Sequence, residues 1–402
     1  MKDTGHRQTI EAALNMEKTD RTPVNNFALV TAARSAGIMV KDARYEPKVS
    51  AKVSVDYALK TKSDFVKPVV DSQIVFIDMG MDVQMPDDDY GRVRSKYIND
   101  LSEIDDLAFF DPSKASECPH FDLCILQALK ETEKYLPEDL HICGLSWGPI
   151  STAGYLMGTE DLLMATMMGE TETVRKLIQK CAVFIAEQER AQIDAGASLM
   201  WMADPTSSED LISPDMFDLS LGGIKTAIAG VKKDYDAPAF LHVCGNTTDL
   251  IPLVRDTGAE CLSFDHAVDP AVAKKAANGR LALMGNIDPV AYIMNGKPDM
   301  IKQKCYEIID ACGADGGFIL APGCESPISS PDANVLAMGE AGIDYWSRCS
   351  FSPEPSPSWS CKSRIPPIRI ARKKISMSDR PWLNIIHPNT ADITVPHPAQ
   401  TA

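Results

Sequence analysis

Residues 239–264 read AFLHVCGNTTDLIPLVRDTGAECLSF. The apolar run Ala239-Phe240-Leu241 opens a predicted strand, Ala239–Val243, that ends in a Gly-Asn turn. A helical pattern over Thr247–Asp256 follows, and a second apolar run, Glu260–Phe264, closes the unit. Short apolar runs joined through a helix are the pattern of parallel strands buried on both faces.

The same rhythm extends outward in both directions. Upstream, the pattern predicts strand Leu140–Ser146 and helix Thr159–Gly196 with a break near Gly169. Strand Ser198–Met202 and helix Ser213–Lys232 follow, with Pro214 in the first turn, where its missing N–H is harmless. Downstream come helix Pro270–Ala277, strand Leu281–Gly285, helix Pro289–Cys312, strand Gly317–Leu320 and helix Pro331–Ala341. Six such units between residues 140 and 342 fit an α/β fold of the closed (β/α)8 TIM-barrel type better than an open doubly wound sheet. No Gly-x-Gly-x-x-Gly turn follows an early strand, which argues against a dinucleotide fold.

Residues 1–139 are less regular. Thr9–Met16 and Lys48–Thr61 have helical patterns, and Asp64–Val70 and Ile74–Phe76 look like strand pieces. This part is expected to form an N-terminal helical extension and the first barrel strands, giving a barrel domain over 1–345. Residues 346–402 differ in kind. They hold nine of the 27 prolines and eight Lys/Arg against three Asp/Glu. A run such as Ser352-Pro353-Glu354-Pro355-Ser356-Pro357-Ser358 suits neither helix nor central strand, so an irregular or disordered basic tail is expected.

Composition narrows the function. The 402-residue chain is 45% hydrophobic and 24% charged, as a globular protein with a large core should be. Its net charge of −16 and the lack of a basic stripe in the first 345 residues speak against nucleic-acid binding. No run approaches the ~20 apolar residues of a membrane span. The polar start, Met1 to Gln8, is no secretory signal, and eleven cysteines then imply reduced thiols in a cytoplasmic protein.

Chemistry concentrates at two strand ends. His242 and Cys244 close the run Ala239–Val243, and their spacing of two puts both side chains on one face. Cys324 follows strand Gly317–Leu320 after Pro322-Gly323, a turn that can aim a thiolate inward. In a barrel of this kind functional groups gather at the C-terminal ends of the strands. One imidazole and two thiolates leave a zinc ion near zero net charge with one position open, the arrangement of a catalytic site. The same residues also suit a buried thiol pair beside a hydrogen-bonded histidine, and spacing alone leaves both readings open. His141 and Cys143 repeat the spacing on another predicted strand without an obvious third partner, which favours a structural role.

Asp265, at the end of Glu260–Phe264, is a candidate fourth ligand or a carboxylate that fixes His242. Asp204 and Asn286 are candidates for cofactor or substrate binding. Against these stand a helix cap for Asp204 and, for Asn286 with Asp288, a turn at the rim. Met157, Met164, Met167 and Met168 are expected to pack in the core, with a soft lining for a cofactor as the alternative.

Several blocks occur in order: Asp20-Arg21-Thr22-Pro23-Val24, Ala203-Asp204-Pro205 and Ile212-Ser213-Pro214. Leu241-His242-Val243-Cys244-Gly245-Asn246 and Met284-Gly285-Asn286-Ile287-Asp288-Pro289 come next. Leu320-Ala321-Pro322-Gly323-Cys324-Glu325, Ser330-Pro331-Asp332-Ala333-Asn334 and Ala337-Met338 complete the set. Together they resemble the uroporphyrinogen decarboxylase superfamily across roughly residues 5–342, and within it the methylcobamide:coenzyme M methyltransferases and related corrinoid-dependent methyltransferases.

The His-x-Cys…Cys triplet resembles that of the methyltransferase branch. The resemblance implies zinc on His242, Cys244 and Cys324. It also implies methylcobalamin or methylcobamide as methyl donor, a corrinoid protein as partner and the thiol of coenzyme M as acceptor. Tetrahydrofolate or another thiol is the alternative acceptor. A metal-free decarboxylase and a non-catalytic corrinoid-binding protein are more distant readings. The decarboxylase branch carries arginines after the Pro-Val block; here Asn25 to Thr31 follow it, and Arg34 is the nearest arginine downstream.

Overall fold

Strand Ala239–Val243 lies between strands Met200–Ala203 and Cys261–Phe264, parallel to both. From there the sheet continues through Ala282–Ile287 to Phe318–Pro322 on one side. On the other it continues to Ser146–Trp147. The computed structural model describes residues 5–137 and 139–350. These lie within one unit, Met1–Cys361, and all but the start of the predicted tail lies outside the described residues.

Backbone hydrogen bonds close the sheet into a ring. Leu320 N donates to Pro23 O at 2.8 Å, and Asn25 N donates to Leu320 O at 2.9 Å, so the last strand pairs with the segment around Val24. Asp64 N then donates to Val24 O at 2.7 Å, which brings in strand Phe65–Val66. That strand pairs in parallel with His141–Ile142, and Cys143 bridges to Leu199 beside Met200–Ala203. With Ala239–Val243, Cys261–Phe264, Ala282–Ile287 and Phe318–Pro322 the circuit is complete, and it is the α/β barrel expected from the sequence.

The pleat sorts the core into two layers. Phe65, Leu199, Trp201, Phe240, Cys261, Met284 and Ile319 form one cluster. Their strand neighbours Met200, Met202, Leu241, Leu262, Leu283 and Leu320 pack with the helices in another. Alternation of this kind on every strand is what a filled barrel with an outer helical ring requires.

Several predicted elements change. Ile74–Phe76 belongs to a short helix, Ile74–Asp78. Asp71 starts that turn by accepting from Gln73 N at 3.0 Å, and three apolar residues alone do not separate strand from buried helix. The strand expected over Asp64–Val70 shrinks to Phe65–Val66. The helix expected over Pro289–Cys312 is interrupted: a π-turn, Pro289–Met294, is followed by Gly296 and a new helix, Pro298–Cys312, with Pro298 in its first turn. The break near Gly169 is present between Thr159–Met167 and Thr171–Asp194. The last helix, Asp332–Ser350, runs past Ala341.

Candidate metal centre at the barrel mouth

His242 and Cys244 sit at the end of their strand, and Cys324 approaches from eighty residues away along the chain. His242 Nε2 lies 3.0 Å from Cys244 Sγ, which lies 3.3 Å from Cys324 Sγ. The three donor atoms are within 4.8 Å of one another, and they form the one such cluster of metal-type donors among the described residues. His242 and Cys244 are buried.

Two glycines make the approach possible. Gly245 adopts φ +77°, and a Cβ there would lie 2.3 Å from Asp210 Oδ2. At Gly323 a Cβ would meet His266 N at 2.4 Å, so only a glycine lets the Pro322–Cys324 turn pass against the Asp265–His266 backbone.

The imidazole is held on several sides. Its Nδ1 lies 3.0 Å from Ser263 Oγ on the next strand. In a metal-bound form the hydroxyl can take the Nδ1 proton and leave the Nε2 lone pair for the ion. Phe27 packs edge-on at 4.9 Å and Trp201 stacks at 5.8 Å, centroid to centroid. Between the thiols, the hydrogen bond from Cys244 holds Cys324 well below the ordinary thiol range, with help from His242. The same bond and burial push Cys244 up. The site therefore already favours one thiolate.

This donor set fits zinc. Zn–S near 2.3 Å and Zn–N near 2.0 Å in a tetrahedron separate the donors by about 3.5–3.8 Å, a few tenths of an ångström wider than the contacts of 3.0 and 3.3 Å found here, so small side-chain shifts would admit the ion. Thiolate and imidazole are the ligands that select this metal.

The other predicted residues divide. Asp265 is buried but falls outside the three-donor cluster: its Oδ1 pairs with His266 Nδ1 at 2.8 Å and accepts from Ala267 N at 2.9 Å. Asp204 caps a helix from across the sheet. Its Oδ1 accepts from Ser151 N at 2.8 Å, at the start of helix Pro149–Met157. Burial raises its pKa to about 6. Asn286 donates to the carbonyls of Asp265 and Val268 at 3.1 and 2.8 Å and so ties the rim turn. Asp288 caps the π-turn through Val290 N and Ala291 N.

His141 hydrogen-bonds Ser198, and among the described residues no metal-type cluster includes it. Of the methionines, Met157 is buried, but Met164, Met167 and Met168 are 49%, 77% and 77% exposed, against the expected core role. Helix Thr159–Met167 buries only Leu162 and Ala165, so Met164 and Met167 lie off its buried face.

Sequence reasoning missed Ser263, Phe27, Trp201, Lys67 and Tyr90. Period-two alternation back from Asp265 identifies Ser263 as lumen-facing. Tyr90 arrives on the loop of the antiparallel pair Val83–Gln84 and Arg92–Val93, and hydrogen-bonds Glu325. Arg44 clamps that loop through the carbonyls of Pro86 and Asp89 and pairs with Asp71 at 3.1 Å. Glu325 also accepts from Leu29 N at 3.3 Å, and burial lifts its pKa to about 8.

A closed α/β barrel whose mouth gathers one imidazole and two thiols defines the class of this protein. Residues 6–345 match the family described as Uroporphyrinogen decarboxylase (URO-D), and the chain belongs to that family. It is 29% identical over 221 residues to the methylcobamide:CoM methyltransferase MtbA of Methanosarcina acetivorans, covering 55% of this chain and 63% of that one. It is 25% identical over 244 residues to a methylated-thiol–coenzyme M methyltransferase of Methanosarcina mazei, covering 61% and 62%. These matches span less than two thirds of the methyltransferases' length. With the uroporphyrinogen decarboxylase of Chlorobaculum parvum it shares 26% over 331 residues, 75% of this chain and 86% of that one. The solved structure of a methyltransferase from Methanosarcina mazei superposes with a TM-score of 0.75 at 22% identity, over 86% of this chain and all of that one, and so has the same fold.

Proposed function

We propose that this chain is a methyltransferase that moves a methyl group from a methylated corrinoid, carried by a separate corrinoid protein, to the thiol of coenzyme M. Zinc is held by His242, Cys244 and Cys324. The observation that carries the reading is the convergence of these three donors at the barrel mouth, in a chain related to methylcobamide:CoM methyltransferases.

Zinc bound there would supply the positive charge that keeps a thiol ionised near neutral pH. Ser263, by accepting from Nδ1–H, would hold the imidazole in the tautomer whose Nε2 is free for the ion. Phe27 and Trp201 fix the plane of the ring and keep water from it. Gly323 sets Cys324 opposite Cys244. The acceptor sulfur attacks the methyl carbon. An S–C bond forms, the Co–C bond breaks, its electron pair stays on cobalt and the thiol proton leaves to solvent. Asp204 and Asn286 support the rim against which the corrinoid sits, and the cytoplasm is the expected compartment.

Decarboxylation is the second reading, favoured by the longer match to the Chlorobaculum parvum enzyme. A polycarboxylate needs several cations, however. Among the described residues the buried lysines and arginines are Lys67 and Arg44, Arg44 is engaged by Asp71, and Arg34 is exposed.

Anaerobic demethylation of methylcobalamin, with and without coenzyme M, on metal-replete and chelated protein tests the proposal. Activity should need both the thiol and about one zinc per chain, and Cys324→Ala should lose both metal and turnover. Full activity in metal-free protein would refute it.

A further inference from the structure

Among the described residues Lys67 is the one buried lysine or arginine without a carboxylate in ion-pair distance. It lies two residues beyond Phe65, so both face the lumen. Its Nζ makes no hydrogen bond among the described residues. It is 2.9 Å from the centre of the Trp201 ring and 4.0 Å from that of Phe27. Those are the two rings that pack on His242. The two legs through Trp201, 2.9 Å and 5.8 Å, place the ammonium within about 9 Å of the imidazole.

An ammonium carries three donors, and ring faces attract its charge but accept no hydrogen bonds of ordinary strength. Trp201 adds a second buried donor without a partner, Nε1. Glu325, the carboxyl group whose charge acts on Lys67, is occupied by Tyr90 and Leu29 N. Burial pulls the lysine down to about 7, the behaviour of a cation that lacks its anion. The lumen thus holds unmatched donors a short reach from the three metal-type ligands.

We propose that Lys67 binds the anionic end of the methyl acceptor. The lumen takes a small thiol that ends in a sulfonate or carboxylate, with its sulfur toward His242, Cys244 and Cys324 and its oxyanion on Lys67. The thiol half of this rests on the methyl-transfer reading; the oxyanion half does not, and is tested first.

Ethanesulfonate and propionate, oxyanions with no thiol, are titrated into the full-length metal-free protein by calorimetry and Trp fluorescence. At least one should bind saturably, with a change in Trp emission as the ammonium leaves the Trp201 face. Lys67→Met should weaken that binding about 10- to 100-fold, the worth of a hydrogen bond to a charged group, and Lys67→Arg should restore most of it. No saturable binding by the wild type, or equal binding by the wild type and Lys67→Met, overturns the proposal.

Methyl transfer from methylcobalamin by zinc-loaded protein is then compared for 2-mercaptoethanesulfonate and neutral 2-mercaptoethanol. Lys67→Met should cut the preference for the anionic thiol about 10- to 100-fold, through KM. Equal loss with both thiols marks a packing role and overturns the proposal. Oxyanion binding through Lys67 without any methyl transfer supports the anion site and refutes the methyltransferase.

Discussion

Ser263→Ala isolates how the barrel prepares His242. The Ser263 hydroxyl is buried and sits 3.0 Å from Nδ1. In the neutral ring one nitrogen carries the proton. In the metal-binding form the hydroxyl accepts it at Nδ1, which leaves the Nε2 lone pair on the side of Cys244 Sγ, 3.0 Å away. Alanine removes the acceptor. A buried N–H left unpaired costs about 1–3 kcal/mol. The ring can avoid that cost by moving the proton to Nε2, but the lone pair needed for the metal is then lost. Either route penalises the ligating form by about 1–3 kcal/mol, which is about 10- to 100-fold in zinc affinity.

Competition with a chromophoric chelator at fixed pH measures that affinity, and urea unfolding of the metal-free protein provides the control. Metal-free stability should fall by less than the binding energy lost, because the proton can shift. Zinc affinity within threefold of the wild type would refute the tautomer argument. So would a metal-free stability loss as large as the binding loss, since that would make Ser263 a packing residue.

Gly323→Ala drives a Cβ to 2.4 Å from His266 N, a clash with backbone that flexible side chains cannot relieve. A stability loss of about 1–3 kcal/mol and weaker zinc binding are expected, read by urea titration and metal content; normal values for both would contradict the close approach. Glu189 is buried with its pKa raised to about 8, and donation from Ser146 Oγ at 2.6 Å reaches only one of its oxygens. A raised carboxyl favours folding below its unfolded pKa of about 4.3 and loses that contribution as pH climbs toward 8. Glu189→Gln should therefore gain on the wild type by a few kcal/mol between pH 5 and pH 8, and an unchanged gap in urea midpoints would disprove the burial effect. Asp204→Ala removes the cap on Ser151 N and should cost about 1–2 kcal/mol while zinc content stays at the wild-type level; loss of zinc would show that Asp204 does more than cap.

Much of this architecture is local, and the chain displays it. Apolar runs of four to six residues between helical patterns, as at Ala239–Val243 and Cys261–Phe264, mark parallel strands because such strands are buried on both faces. Period two puts His242 and Cys244 on one side of their strand. Where elements are short and their apolar runs ambiguous, as at Ile74–Asp78, the apolar pattern does not decide; there an Asp71–Gln73 turn leads into a helix.

Contacts between distant strands carry no local signature. Cys324 meets Cys244 because the ring closes through Leu320 and Val24 and because Gly323 admits the turn. Ring closure also carries Phe27 from the N-terminal segment onto His242, and brings Lys67 and Trp201 together inside the lumen. The order of residues alone establishes a barrel with an imidazole and thiols at its strand ends. Only the closed barrel decides which of them meet, because side-chain period records the face a residue takes and not the partner that face will find.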